Sequence, residues 1–182
     1  VRHALVVGGS GMLAGASLWL ADQGYTVSVI GRSRSKMEKL TEASPNIIPL
    51  LMDYNDEESL TGGIRSSIAA HGAYNIVVAW IRGNYPKIIH AISNEIKSAS
   101  DREWSLYHVT GSRSNLDEIA KEIGDIPKRT VHQVKLGFVI EDEASRWLTH
   151  EEKSNGVING IKSGAKRTVI GTLTPWEKRP ES

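Results

Sequence analysis

The sequence predicts an α/β fold: a doubly wound parallel sheet of about seven strands, with helices on both faces in three layers. Three observations predict it. Short apolar runs, of the kind that form strands buried on both faces, alternate along the chain with segments of helical apolar spacing. The first apolar run, residues 4–7, ends in Gly8, Gly9 and Gly11, and a helical pattern opens at Met12 and stops at Gly24. The third run, residues 47–52, contains Pro49, which cannot donate to a sheet ladder and so belongs on an edge. In a sheet of order 3-2-1-4-5-6 the third strand is an edge. These features together describe a Rossmann-type sheet.

Composition narrows the class. The chain has 182 residues, 40% of them hydrophobic and 24% charged, which suits one globular domain with a full core. The expected division is a single nucleotide-binding domain over residues 1–174 and a loose tail over residues 175–182. A net charge of +1 gives no global field to recruit nucleic acid or an acidic membrane. There is no Cys, so disulfides, thiol nucleophiles and cysteine metal sites are excluded. That composition suits a reducing compartment, and a cytoplasmic location is expected. No apolar run approaches the length of a membrane span.

The remaining elements follow in order. Residues 25–30 form the second strand, rich in β-branched residues, and end at Gly31-Arg32-Ser33-Arg34. Ser35 and Glu38 suggest a capping box for the next helix, through about Ala43. After the third strand, Asn55 and Glu58 suggest a cap for a helix carrying Leu60, Ile64 and Ile68, which Gly62 and Gly63 weaken. Residues 75–80 are the fourth strand. Pro86 suits the first turn of a helix with Ile88, Ile89, Ile92 and Ile96 on one face. Residues 103–110 are the fifth strand, and Ser114 is the expected cap of a short helix over residues 115–123. Residues 131–140 are read as one sixth strand, bent or bulged at Gly137. Thr149 and Glu152 cap a last helix with Val157, Ile158 and Ile161, stopped by Gly164, and residues 167–173 form the final strand.

The opening turn carries the chemistry. A strand that ends in a glycine-rich turn and opens a helix lets the backbone approach a phosphate, with N–H groups facing the anion. The spacing Gly8-x-x-Gly11-x-x-Ala14 fits a dinucleotide pattern with Ala in the last slot. Arg32 follows the second strand, where an acidic residue would hold a ribose 2′-hydroxyl. Arg there can pair with a 2′-phosphate, with Ser33 and Arg34 as further donors, or Arg32 and Arg34 can be a solvated helix start.

The turn Gly8-Gly9-Ser10-Gly11-Met12-Leu13-Ala14, the Gly31-Arg32-Ser33 strand ending and Asp53 after the third strand resemble the short-chain dehydrogenase/reductase superfamily. The resemblance spans roughly residues 3 to 140. The segment Leu136-Gly137-Phe138-Val139-Ile140-Glu141 also resembles atypical members, including the NmrA-like group. The resemblance implies that Gly8, Ser10, Gly11, Met12 and Leu13 hold the pyrophosphate and its ribose, and that the cofactor is NADP(H) in preference to NAD(H). It implies that Asp53 and Tyr54 contact adenine, although Asp53 is equally a helix cap. Ala79 and Trp80 follow the fourth strand, with Trp80 either a pocket wall or core. Gly111 falls at the end of the fifth strand, and Gly137 to Val139, including Phe138, would border the nicotinamide. A homo-oligomer is implied, with a small-molecule substrate and no nucleic-acid or membrane partner.

The chemistry departs from the family. Its Tyr acid/base carries a Lys four residues on, which shares a helix face and lowers the phenol pKa. Here Tyr25, Tyr54, Tyr74, Tyr85 and Tyr107 are followed at that spacing by Val29, Glu58, Val78, Ile89 and Gly111. The catalytic candidates are therefore Ser112 after the fifth strand, Tyr85 after the fourth and Lys135 in the sixth. Trp147 and His150 fall where a substrate lid is expected. No His pair has metal-binding spacing, and no metal is expected. Three functions follow: an atypical NADP-dependent oxidoreductase acting on a small carbonyl or alcohol, a non-catalytic NADP-binding sensor of NmrA-like type, or a scaffold that has lost its cofactor. The intact glycine turn disfavours the last.

Overall fold

The computed structural model describes residues 2–8 and 10–181, so Val1, Gly9 of the glycine turn and Ser182 lie outside the described residues. Strands β1 (Arg2–Val7), β2 (Tyr25–Gly31), β3 (Ile47–Leu51), β4 (Ile76–Trp80), β5 (Trp104–Thr110) and β6 (Arg129–Leu136) alternate with helices. The helices are α1 (Ala14–Asp22), α2 (Arg34–Ala43), α3 (Glu57–His71), α4 (Tyr85–Ala99) and α5 (Leu116–Ile123). A hairpin of β7 (Phe138–Glu141) and β8 (Ala144–Trp147) precedes α6 (His150–Ser163) and β9 (Arg167–Ile170). The main sheet has seven strands in the order β3-β2-β1-β4-β5-β6-β9, every pair parallel. Pro49 sits on edge strand β3, beside Val29 of β2.

Side-chain alternation along β1 divides the core. Ala4 and Val6 pack with Leu20, Met37, Leu40 and Val157 of α1, α2 and α6. Leu5 and Val7 pack with Leu60, Ile64, Ile89, Ile92, Ile96 and Ile123 of α3, α4 and α5. Each fully buried Leu or Ile contributes about 1.5–3 kcal/mol. That burial holds helices on both faces and leaves the strand ends to carry function. At the amino ends of the strands, a polar chain crosses the sheet. The His3 ring is 2.8 Å from the Gly72 carbonyl through Nδ1 and 2.7 Å from Ser28 Oγ through Nε2. Nδ1 therefore carries the proton and Nε2 accepts from Ser28, an assignment made from the partners. Ser28 Oγ lies 2.8 Å from Ser67 Oγ, which accepts from the Tyr74 hydroxyl.

Several boundaries differ from the sequence reading. The expected single strand over residues 131–140 is two strands turned apart at Gly137. The Gly137 N–H donates to Ile170 O at 2.8 Å and the Phe138 N–H to Thr172 O at 2.9 Å. A Cβ at Gly137 would fall on the Thr172 carbonyl, so the chain passes this strand end only as glycine. The resulting hairpin interrupts strict alternation. Helix α2 is capped by Ser33, which accepts from the Lys36 N–H, while Ser35 lies inside the helix. Helix α3 is capped by Asp56 rather than Asn55, and α5 by Asn115 rather than Ser114. In each case the capping residue is the extended one whose oxygen reaches the first helical turn. Ser114 instead donates to Gly111 O at 2.7 Å. Helix α3 runs unbroken through Gly62 and Gly63. The last strand ends at Ile170, and residues 175–181 include a short turn, Trp176–Lys178; the Trp147 indole N–H donates to Glu181 O at 3.3 Å. Among the described residues no helix is long and apolar enough to cross a membrane.

Candidate functional site

A cleft of about 290 Å³ opens at the carboxyl ends of β1, β2, β3 and β4. Its floor is the turn after β1. Gly8 has φ +82°, a left-handed conformation that suits glycine, and its N–H donates to Ile30 O at 3.2 Å. A Cβ there would lie 2.8 Å from the Trp80 carbonyl, so the turn fits against β4 only without a side chain. The Ser10 side chain lies against the end of β2, where a Cβ on Gly31 would come within 2.6 Å of its Oγ. Ser10, Gly11 and Met12 line the cleft. Leu13 does not: its side chain is fully buried in the core, and its backbone supplies the amino-terminal cap of α1.

The amino end of α1 is finished by α6. The Ala16 N–H donates to Ser154 Oγ at 3.2 Å, and Ser154 Oγ donates to Met12 O at 3.1 Å. Ala14 and Ser17 N–H groups are satisfied by Gly11 O and Leu13 O. This fixes which part of the turn faces the cleft and seats α6 beside it.

The strand ends place the other residues unequally. Arg32 lines the cleft, exposed, with its guanidinium 4.0 Å from the Asp53 carboxylate. Arg34, expected as a third phosphate donor, lies on another side of α2 in a depression with Met37, Thr41, Pro49 and Leu51. Ser33 spends its hydroxyl capping α2. Asp53 accepts from the Asn55 backbone and side-chain N–H groups at 2.9 and 3.1 Å and does not line the cleft. Tyr54 does line it, and its hydroxyl accepts from the Arg82 N–H at 3.0 Å, tying the end of β3 to the loop after β4. Its other neighbour is a smaller cavity of about 150 Å³ between α3 and α4. Trp80 is both things the sequence offered, a cleft wall and a partner of the core. Ala79 is fully buried and faces the α3–α4 core, so it lines nothing. Gly137 is packed against β9, and Phe138 is fully buried edge-on to Trp147, so neither borders the cleft. Gly111 lies beyond β5, outside the cleft lining.

The catalytic candidates also stand apart from the cleft: Ser112, Tyr85 and Lys135 are all absent from its walls. The Tyr85 hydroxyl donates to Glu122 Oε2 at 2.8 Å, with its ring 5.2 Å from that of His108. Desolvation, then the Glu122 carboxylate, push its pKa up to about 12, away from what an acid/base group needs. Lys135 is half-buried in β6, beside Thr110 and Val169. Ser112 sits in the turn after β5, half-buried. Among the described residues no group of His, Asp and Glu is arranged to hold a metal ion.

The structure adds residues that motif reading did not select. Ile30, Lys36, Met52 and Arg82 line the cleft, together with Gly31 of the second strand's ending and His150, which the sequence placed at a substrate lid. The Lys36 ammonium lies 3.5 Å from where a Gly11 Cβ would be. The cap at Ser33 makes Lys36 the third helical residue of α2 rather than the first, with its N–H donating to Ser33 Oγ. Arg82 follows Trp80 by two residues but lies in no motif. The walls thus carry Arg32, Lys36, Arg82 and His150 and no carboxylate.

No family model and no curated protein sequence matches the chain. Solved structures do match it. A protein assigned provisionally to the short-chain dehydrogenase/reductase family, from Aeromonas hydrophila, aligns with a TM-score of 0.71 at 12% identity, covering 94% of this chain and 99% of that one. A β-ketoacyl-[ACP] reductase from Bacteroides thetaiotaomicron gives 0.68 at 19% identity, with 94% and 98% covered. A 3-ketoacyl-(acyl-carrier-protein) reductase from Brucella melitensis, complexed with NADH, gives 0.67 at 13% identity, with 93% and 96% covered. At these identities the likeness is one of fold, and the chain has the fold of the short-chain dehydrogenase/reductase structures.

Proposed function

We propose that the chain binds NADP(H) in preference to NAD(H) and acts as an oxidoreductase of short-chain dehydrogenase/reductase type on a small carbonyl or alcohol. The observation that carries this reading is a cleft built on the glycine turn, walled by Arg32, Lys36, Arg82 and His150 and by no carboxylate. The close approaches at Gly8 and Gly31 fit a backbone that must accept a phosphate bridge. A cation after β2, in place of an acid, favours a phosphorylated ribose. A nicotinamide dinucleotide supplies hydride chemistry when bound; the chain's own residues bind and orient it. In this reading Gly8, Ser10, Gly11 and Met12 hold the diphosphate, and Arg32 with Lys36 the 2′-phosphate. Tyr54 and Trp80 wall the cleft. A homo-oligomer is part of the proposal on the resemblance alone, and a cytoplasmic location on the absence of Cys.

A second reading is an NADP-binding sensor without turnover. One observation favours it: the Tyr85 hydroxyl is committed to Glu122, and no Tyr has the partner Lys. Calorimetric titration with NADPH and NADH, followed by NADPH-oxidation assays over carbonyl substrates, tests both. Tight NADPH binding with turnover supports the enzyme, binding without turnover supports the sensor, and no binding of either cofactor defeats both.

A further inference from the structure

Basic side chains from three separate elements line the cleft over the glycine turn. Lys36 comes from α2, Arg82 from the loop after β4 and His150 from the first turn of α6. Lys153, one helical turn beyond His150, is half-buried, and its pKa is lowered first by desolvation and then by the Arg82 charge. Arg82 and Lys153 therefore sense one another as like charges, although they belong to elements far apart in sequence. Among the described residues neither has an ion-pair partner, and nor does Lys36. The nearest acids are engaged elsewhere. Glu152 holds Arg146 and the Thr149 N–H, and Asp53 holds Asn55 and faces Arg32. Holding like charges together without a counterion is unfavourable, and it is relieved when an anion sits between them.

The Arg82 side of this cluster is positioned rather than accidental. The Tyr54 hydroxyl fixes the Arg82 backbone N–H at 3.0 Å, and Ser154 locks the start of α6 onto Met12 and Ala16. The first anchor acts on the loop that carries Arg82, and the second on the turn that the proposed function assigns to the diphosphate. The geometry points to a two-sided clamp, in which the glycine turn holds the diphosphate bridge of the dinucleotide from below and Arg82 and His150, which line the same cleft, hold it from the other side. This rests on the dinucleotide reading and adds to it a set of residues that acts on NADPH and NADH alike, distinct from Arg32.

The test is calorimetric titration of Arg82→Gln with NADPH, NADH and inorganic pyrophosphate. Lys87→Gln, which removes an exposed cation outside the cleft, serves as the matched control. Loss of a charged hydrogen-bond donor predicts weakening of NADPH and NADH by a similar factor, about tenfold or more, for Arg82→Gln, and no change for Lys87→Gln. Unchanged thermal midpoints and rescue by Arg82→Lys separate this from misfolding. Equal affinity of wild type and Arg82→Gln for both dinucleotides overturns the clamp, as does a loss confined to NADPH. If wild type binds neither dinucleotide, the proposed function fails and pyrophosphate decides the clamp. Binding lost in Arg82→Gln keeps it as an anion site; absent or unaltered binding overturns it.

Discussion

Arg32 and Arg34 are two residues apart on either side of the α2 cap, one in the cleft and one beside Pro49 and Leu51. Of the two, only Arg32 lines the cleft. Arg32→Asp is therefore expected to weaken NADPH by about tenfold or more while changing NADH less, since a charged hydrogen bond is worth roughly 1.5–3 kcal/mol. Arg34→Ala should leave both affinities unchanged. Titration of the two variants with both cofactors checks this, and equal losses for Arg32→Asp sink the 2′-phosphate assignment. Gly8 makes the opposite kind of demand. At φ +82° and 2.8 Å from the Trp80 carbonyl, Gly8→Ala is strained in backbone and in contact together, and is expected to lower stability by about 1–3 kcal/mol in denaturant unfolding. At this scale the sequence was legible where backbone conformation demands the residue, as at Gly8. It was less legible where the role depends on which way a side chain leaves a helix, as at Arg34 and Lys36. A cap at Ser35 would leave Arg34 before the helix and Lys36 first in it, whereas the cap at Ser33 makes them its first and third residues, and residue type alone does not set that phase.

Helix α6 is the element whose contribution is largest relative to its sequence signal. Its amino end was legible. Thr149 and Glu152 form the reciprocal capping box, and Arg146 holds the Glu152 carboxyl down to about 2, followed by the Thr149 backbone N–H. Thr149→Ala is expected to cost about 1 kcal/mol in chemical denaturation. Ser154 in the same helix carried no motif, because its partners are backbone groups at the other end of the sequence. Removing its hydroxyl leaves the Ala16 N–H and Met12 C=O without partners in a buried setting. Ser154→Ala should therefore cost about 1–3 kcal/mol and weaken dinucleotide binding as well, measured by denaturation and titration on the same variant. A substitution of equal size on the outer face of α6, such as Asn155→Ala, should do neither.

For the whole molecule, the sheet order followed from alternation and from one proline, because a doubly wound sheet leaves few places for either. The β7–β8 hairpin did not follow, since four-residue strands joined to a sheet strand by one glycine look like its continuation. Catalysis was legible only as an absence, and the three candidates offered in its place end outside the cleft. A property of the whole molecule that can be measured is its acid sensitivity. His108 is buried on β5 with no hydrogen-bond partner for Nδ1, and desolvation pushes its pKa down to about 4. His3 is lowered too, first by burial, partly offset by the Gly72 carbonyl. Both sit below the unfolded value near 6.5, so the unfolded chain takes up protons first as pH falls. The stabilisation from the neutral rings is complete above about pH 6.5 and is lost as pH falls toward 4, by up to roughly 3 kcal/mol for His108. Denaturant midpoints measured between pH 7.5 and 4.5 should fall for wild type, and less steeply for His108→Phe.

The bond from Ser154 to the start of α1 also bears on how the chain reaches this state. The glycine turn is local in sequence, yet the turn and its helix cap are completed by a residue on the last helix, separated from Ala16 by 138 positions. Contacts of that span form late, because loop closure must precede them. A chain emerging amino end first presents its glycine turn early and completes it last. Recovery of dinucleotide binding in refolding should then follow the slowest folding phase, lagging the return of helical signal, so that the ligand selects finished molecules over partly folded ones.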